Sequence, residues 1–356
     1  MNEPRDYGLD AHRTLAFVVD PTPPPGFVQH WTHWQSVVWA DAPTLLSIRD
    51  ALPTHDAARL EEHGVTHVFQ SMGDVTIGTR LTLPEGEVRG VVITTHGYGC
   101  PDVPLNDHNP FTERGLAFLQ VRVRGYPGSH LSTGHLSVIE DGYITRGLLD
   151  EDTTRHWTLS GAVADLVNAF RAARARFGAA TPISIHGESF GGGLAVIAAS
   201  QIIGRDHVER LALGVPTFGA WAWRFAQPVT IGAGAELAIY RRANPEHRER
   251  IDALLHLHDA VIHARRVVCP TICKLALLDE VVPAPSAAAL FNALGSDPGR
   301  KWRYVTRYGH FDGGMADLRR HALYESMVAE FFDVRQRPRA IMQAWQDRLP
   351  LPADEA

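Results

Sequence analysis

Ser189 sits at the centre of Gly187-Glu188-Ser189-Phe190-Gly191, a G-x-S-x-G with the apolar run ISI before it and a glycine- and alanine-rich run after it. A serine hydroxyl is a poor nucleophile until a base takes its proton. The motif therefore means chemistry only if an imidazole and an acid reach the serine. Where it forms a sharp strand–turn–helix elbow, the acid and then the histidine follow the serine in the chain. Asp279 directly follows the apolar run 272–278, and His310 follows the run 302–306, inside YGHFDGG. The spacings, 90 and 31 residues, fit two strand–helix units and then one. Glu280 is the rival acid. His207, His247, His256, His258, His263 and His321 are rival bases, but none directly follows a strong strand pattern as His310 does. A tetrahedral oxyanion also needs two preorganised amides. One is expected from Phe190, just after the nucleophile. The other is expected from the turn His96-Gly97-Tyr98-Gly99, with the Tyr98 amide preferred. A plain glycine-rich turn is the competing reading of both stretches.

The elements that must position these residues are legible as patterns. Residues 75–83 alternate with period two, as a half-buried strand does. Short apolar runs at 91–95, 116–123, 183–185, 210–214, 271–278 and 302–306 read as buried strands. Leu159, Val163, Leu166, Phe170, Ala173 and Phe177 form one apolar helical stripe, ended by Gly178. Residues 194–199 read as a buried helix and 286–294 as a helix by propensity. Alternating strands and helices predict an α/β fold, a mostly parallel sheet covered on both faces. Its function-bearing loops would lie at the carboxyl ends of the strands. About 217–262 interrupts the alternation and reads as a helical insertion. No linker divides the chain, so one domain is expected over 1–356, with an N-terminal extension (1–70) and a C-terminal tail (336–356).

Composition excludes several classes. The 356 residues carry a formal charge of −6 and no long basic run, which argues against a nucleic-acid partner. No apolar run is long enough to span a bilayer. The N-terminal MNEPRDYGLDAHR lacks the apolar core of a secretory signal, so a cytoplasmic location is the expectation. Cys100, Cys269 and Cys273 are too few and too oddly numbered for a disulfide framework. Cys269 and Cys273, a C-x3-C without a second pair, read as small buried hydrophobes. His30-Trp-Thr-His-Trp34 and His256-Leu-His258-Asp259 have metal-like spacings, but packing is preferred for both, since no further ligand is evident near the first and the second lies in the insertion. No metal or organic cofactor is expected.

Five segments carry a resemblance. His96-Gly97-Tyr98 looks like a G-Y-N-G oxyanion loop, and Arg124-Gly125 looks like an R-G-Q with Tyr126 in place of glutamine. GYITRGLLDEDT, 142–153, is similar to a G-x-x-T-R-G-I-L-D-x-x-T, the most distinctive of the five. Residues 187–192 stand for G-x-S-Q-G-G with Phe190 replacing glutamine, and 278–286 with Gly309-His310 stand for the acid and base segments. Together these resemble carbohydrate esterase family seven, the acetyl xylan esterases and cephalosporin C deacetylases, over about residues 60–335. The resemblance implies an α/β-hydrolase fold. It implies a Ser189–His310–Asp279 triad with the Tyr98 and Phe190 amides as oxyanion hole. It also implies hydrolysis of small acetyl esters, such as acetylated xylo-oligosaccharides or cephalosporin-type acetates, and a homo-oligomer like the family's ring-like hexamers. Phe190 is expected to make a pocket wall apolar, and Tyr126 to lose an amide from the local network. The run 341–345, IMQAW, is expected to pack on a neighbouring subunit or back on its own domain. Two other readings stay open at this point: a serine hydrolase of longer acyl chains, and a non-catalytic protein on a hydrolase fold.

Overall fold

The computed structural model describes residues 6–99, 105–107, 109–129, 142–228, 231–310 and 313–352. Cys100 and the Phe311-Asp312 part of YGHFDGG lie outside the described residues. Nine strands form one sheet among them: β1 (Leu46–Ser47), β2 (His67–Ser71), β3 (Val75–Thr82), β4 (Gly90–Thr95), β5 (Leu116–Val121), β6 (Ile183–Glu188), β7 (Leu211–Gly214), β8 (Thr271–Leu278) and β9 (Lys301–Tyr308). Their order is β1-β2-β3-β5-β4-β6-β7-β8-β9. The pairs from β1 through β3 to β5 are antiparallel, and every pair from β5 to β9 is parallel.

The parallel strands read as short continuous apolar runs because both faces of the sheet are covered. Side chains alternate between the two layers. Val91 and Ile93 of β4, Leu211 and Leu213 of β7, and Cys273 and Leu275 of β8 point into one layer. Val92, Ala212 and Ile272, next to them in the same strands, point into the other. Helices Thr158–Phe177 and Phe190–Ile202 fill the first layer, and Gly314–Phe331 and Pro338–Ala344 fill the second. Between β7 and β8 the described residues form four α-helices, Trp221–Arg224, Gly232–Ala243, Arg248–Leu257 and Ala260–Ala264, where the sequence suggested a helical interruption.

Two expectations change, and of the two alternatives for the tail one is realised. The helix at 158–177 does not bury a single stripe: almost every residue from Thr158 to Ala173 is buried. Its far side is roofed by helix Phe27–Val38, whose Trp34 Nε1 donates to Ser160 Oγ at 3.0 Å. The N-terminal region also supplies β1 and β2. The five-residue β2 was too short for its alternation to register and becomes a strand by pairing with β3 around the Met72-Gly73-Asp74 turn. The tail packs on its own chain, with Ile341, Met342 and Trp345 buried against the second layer and Trp345 Nε1 donating to Glu330 Oε2 at 2.7 Å. Cys269 and Cys273 are buried, and burial pushes the Cys269 thiol up to about 12. No helix among the described residues is long and apolar enough to cross a membrane.

The tryptophan-bearing helix packs on buried imidazoles. Trp31 meets His263 edge-on at 4.6 Å between ring centroids, and His30 meets His258 at 5.1 Å. Burial lowers His30 to about 4 and His263 to about 3, and it lowers His258 well below the ordinary histidine value. His96, half-buried beside the sheet, falls to about 3 through the same desolvation. Each folded value lies below that of the unfolded chain, about 6.5, so unfolding takes up protons as pH falls. The stability these neutral rings contribute is complete above about pH 6.5 and is lost progressively toward pH 4–3. By pH 5 the loss should reach about 1–2 kcal/mol per fully buried ring. The urea midpoint is therefore expected to drop clearly between pH 7.5 and pH 5; an unchanged midpoint would show that these histidines charge without unfolding.

Candidate active site

β6 ends at Glu188 and helix Phe190–Ile202 begins at once, leaving Ser189 alone to turn the chain. Its backbone lies at φ 51°, ψ −113°, a region that L-residues rarely occupy and that must be held by its surroundings. The holding contacts are visible. Ser189 N–H donates to Gly214 O at 2.7 Å, and Ser189 O accepts from Gly193 and Thr217, both at 3.1 Å. The turn is tight enough that a Cβ on Gly187 would lie 2.2 Å from Gly191 O, so glycine is required there by contact.

The structure brings Ser189, His310 and Asp279 into one hydrogen-bonded line. His310 Nε2 is 3.0 Å from Ser189 Oγ, and His310 Nδ1 is 2.8 Å from Asp279 Oδ2. With Nδ1–H given to the carboxylate, Nε2 presents its lone pair to the serine hydroxyl. Asp279 is wholly buried, and its Oδ1 also accepts from the Val281 and Val282 amides, both at 3.0 Å. It is thus Asp279, and not Glu280, that faces the imidazole. The rival histidines lie elsewhere: His207 and His247 sit beside Glu209 and Glu246, and His258 and His263 pack in the first layer. His321 contacts Lys274 and Asp317.

The turn after β4 lies beside the elbow because β4 and β6 are paired through Thr95 and Gly187. The strand order reverses here, with β5 on one side of β4 and β6 on the other, the place where open α/β sheets build their sites. Phe190 is the first helical residue, so its N–H has no intrahelical acceptor. Its ring does not line an open wall, as the sequence suggested. It is fully buried, 5.5 Å from Tyr98, 6.2 Å from Tyr143 and 5.6 Å from Phe218 between centroids. The reason is directional: the elbow aims the serine outward, and the next side chain points into the sheet–helix interface.

Tyr126 is tied into this turn through both its hydroxyl and its ring. Its hydroxyl accepts from Gly99 N at 3.2 Å, and its ring lies 3.8 Å from that of His96. His96 is itself pinned. Its Nε2 accepts from Val123 N at 3.4 Å, so its Nδ1–H donates to Gly97 O at 2.9 Å. Tyr98 Oη donates to Glu236 Oε2 at 2.8 Å, and the same oxygen accepts from Gly142 N at 3.2 Å. Burial, reinforced by the Glu236 charge, raises the Tyr98 phenol far above its ordinary value.

Several residues went unread in the sequence. Glu236 ties the Tyr98 turn to helix Gly232–Ala243, and nothing in its local pattern marks it. Arg224 donates from Nη1 to Thr217 Oγ1 at 2.6 Å and from Nη2 to Val281 O at 2.8 Å, joining the loops after β7 and β8. Burial lowers it to about 10, which leaves it charged at neutral pH. Tyr7 Oη donates to Asp279 O at 3.0 Å, so the N-terminal arm reaches the acid. The distinctive 142–153 segment folds beneath this turn: Tyr143 Oη donates to Arg124 O at 2.8 Å, and Trp157 Nε1 donates to Ile144 O at 2.8 Å. Arg124 is paired with fully buried Asp165 at 2.8 Å. Among the described residues no three His, Cys, Asp or Glu side chains converge as metal ligands.

Gly309 precedes His310, and a Cβ there would lie 2.0 Å from Asp279 Oδ2 and 2.9 Å from Ala276 Cβ. Gly309→Ala must displace either the carboxylate or the histidine loop. Ester hydrolysis is expected to fall at least about tenfold in kcat while the chain stays folded, since sub-ångström misplacement is felt in such sites. Wild-type kcat in this variant would mean that the loop yields without moving the pair.

The arrangement of nucleophile, imidazole and acid is suited to acyl transfer from an ester. In overall structure the chain is similar to acetyl xylan esterase 1 from Thermoanaerobacterium sp., with a TM-score of 0.72 at 18% identity over 91% of this chain and 99% of that one. It is similar to the acetyl xylan esterase from Paenibacillus sp., with a TM-score of 0.68 at 20% identity over 90% of this chain and 99% of that one. The Pyrococcus horikoshii acylaminoacyl peptidase shares the fold more distantly, with a TM-score of 0.54 at 17% identity over 75% of this chain and 40% of that one. These likenesses identify an α/β-hydrolase fold. Residues 36–326 match the family model described as acetyl xylan esterase (AXE1), and the chain belongs to that family.

Proposed function

We propose that this chain, an acetyl ester hydrolase by family, works through an acetyl-enzyme on Ser189, with His310 as base and acid and Asp279 as its orienting carboxylate. The observation that carries this reading is the 3.0 Å contact between Ser189 Oγ and His310 Nε2, with Asp279 buried 2.8 Å behind the ring. His310 takes the hydroxyl proton as Oγ attacks the ester carbonyl. Asp279 stabilises the imidazolium that forms without itself becoming protonated. The Phe190 and Tyr98 amides are assigned to the oxyanion, a role in which each donor is worth roughly 3–4 kcal/mol of barrier. His310 then protonates the departing alcohol, and water attacks the acetyl group by the same route. The substrate class is small acetyl esters, among them acetylated xylo-oligosaccharides and cephalosporin-type acetates. The longer-chain reading rested on an apolar wall at Phe190, and the buried ring removes that motive.

Wild type and Ser189→Ala are to be compared on 4-nitrophenyl acetate, butyrate and octanoate, and on acetate release from acetylated xylo-oligosaccharides. Acetate should be preferred, and the variant should lose on the order of 10⁴–10⁶ in kcat, as removal of such a nucleophile does elsewhere. A preference for octanoate would keep the mechanism and overturn the substrate class. Equal activity in the two proteins would overturn the mechanism.

A further inference from the structure

The triad as described does not use the most unusual side chain near it. Lys274 lies in the middle of β8 and is 4% exposed. A buried ammonium is costly to desolvate, and an apolar residue of similar volume at such a site is commonly neutral or stabilising. Its partners reach the reacting pair from below. Lys274 Nζ is 2.6 Å from Glu188 Oε1, and Glu188 is the residue immediately before Ser189. On its other side Nζ is 3.2 Å from His321 Nδ1. His321 Nε2 is 3.1 Å from Tyr308 O and 3.1 Å from Asp317 Oδ2, and Asp317 Oδ1 accepts from Tyr308 N at 3.4 Å. Tyr308 ends β9, two residues before His310.

The sheet register explains how this chain of contacts forms. Glu188 and Lys274 both pair with Gly214, from opposite sides, so the three stand in one row across β6, β7 and β8. Glu188 and Lys274 are two strands apart and meet only because the residue between them has no side chain. A Cβ on Gly214 would lie 2.2 Å from Glu188 Oε1. Alternation along β8 points Lys274 toward the layer of helix Gly314–Phe331, which carries Asp317, His321 and Tyr324. The ammonium lies over the Tyr324 ring at 4.9 Å, and Tyr324 Oη donates to Leu213 O at 2.6 Å.

Protonation states follow from the contacts. An ammonium only donates, so His321 Nδ1 accepts, and its Nε2–H is given to Tyr308 O and Asp317. The row is then carboxylate, ammonium, neutral imidazole, carboxylate. Burial alone would raise the Glu188 carboxyl, but the charge of Lys274 beside it holds it below its ordinary value.

We propose that Lys274 is a positioning residue, which through Glu188 on one side and His321 on the other fixes the nucleophile elbow relative to the histidine loop and so sets the Ser189–His310 contact. The function of this network is geometric, since none of its members touches the reacting atoms. It rests on Ser189 and His310 being the reacting pair.

The test uses the full chain and 4-nitrophenyl acetate, with folding followed by circular dichroism. Lys274→Met is expected to lower kcat about 10–100-fold with KM within about twofold, because binding is untouched while the reacting pair is displaced. Glu188→Gln should lose less. The double variant should be no worse than Lys274→Met alone, since members of one network are not additive. His321→Gln keeps an acceptor and a donor and should stay within about threefold of wild type, whereas His321→Leu should fall with Lys274→Met. A folded Lys274→Met with kcat within twofold of wild type overturns the proposal, as do fully additive losses. Should Lys274→Met not fold, the two His321 variants decide: equal kcat overturns the proposal, and loss confined to leucine supports it. Ser189→Ala, assayed alongside, separates failure of the triad reading from failure of this one.

Discussion

A contact 3.0 Å long between residues 121 positions apart is what the proposed chemistry depends on. Neither end of it can be loose. The hydroxyl is reactive only while a lone pair faces it, and reacting groups must hold their places to within a fraction of an ångström. A parallel sheet is a good device for this. Its register brings the ends of β4, β6, β8 and β9 to one edge, and each strand releases one functional loop there. The strained turn at Ser189 is affordable because three backbone hydrogen bonds and packed glycine contacts hold it from all sides.

Charge is buried around this edge in a consistent pattern. Arg124 with Asp165, Arg224 between two loop segments, and Lys274 between Glu188 and His321 are all nearly inaccessible. A hydrophobic core would be served as well by apolar side chains. What the charged groups add is direction: a guanidinium with carbonyl and hydroxyl acceptors has one acceptable placement, whereas a leucine has several. Each of these cations joins segments that are distant in sequence and adjacent to the site. The neutral histidines in and beneath helix Phe27–Val38 follow the opposite logic, packing as aromatic rings whose charge is suppressed by burial.

What was legible in the sequence follows the range of the interactions involved. Ser189, Asp279 and His310 could be picked out because each sits at the end of a local strand pattern and in a fixed chain order. The parallel strands were legible because burial on both faces leaves a continuous apolar run. β2 was not, being five residues whose identity as a strand depends on pairing with β3. Glu236, Arg224 and Lys274 were not legible either, since what gives them meaning is a partner reached through the fold: Tyr98, Val281 and Glu188 lie 57 residues or more away from them. The side-chain direction of Phe190 was misjudged for a related reason. Neighbours along the chain do not share a surface at an elbow that reverses the backbone.

Phe190 and Tyr126, the two aromatic residues at this turn, then acquire one explanation. An oxyanion donor is effective to the extent that it is held before the charge arrives. In this chain the turn that carries Tyr98 is held by aromatic packing. Phe190, Tyr126 and Tyr143 fill the space beneath it, Tyr126 accepts the Gly99 amide, and a neutral His96 fixes the Gly97 carbonyl. The aromatic residues at 126 and 190 supply contact area and ring–ring geometry, which resist motion of that turn. Phenylalanine beside the nucleophile and tyrosine after Arg124-Gly125 are therefore coupled choices: each ring packs against the same His96 and Tyr143, so either one alone would leave part of that space unfilled.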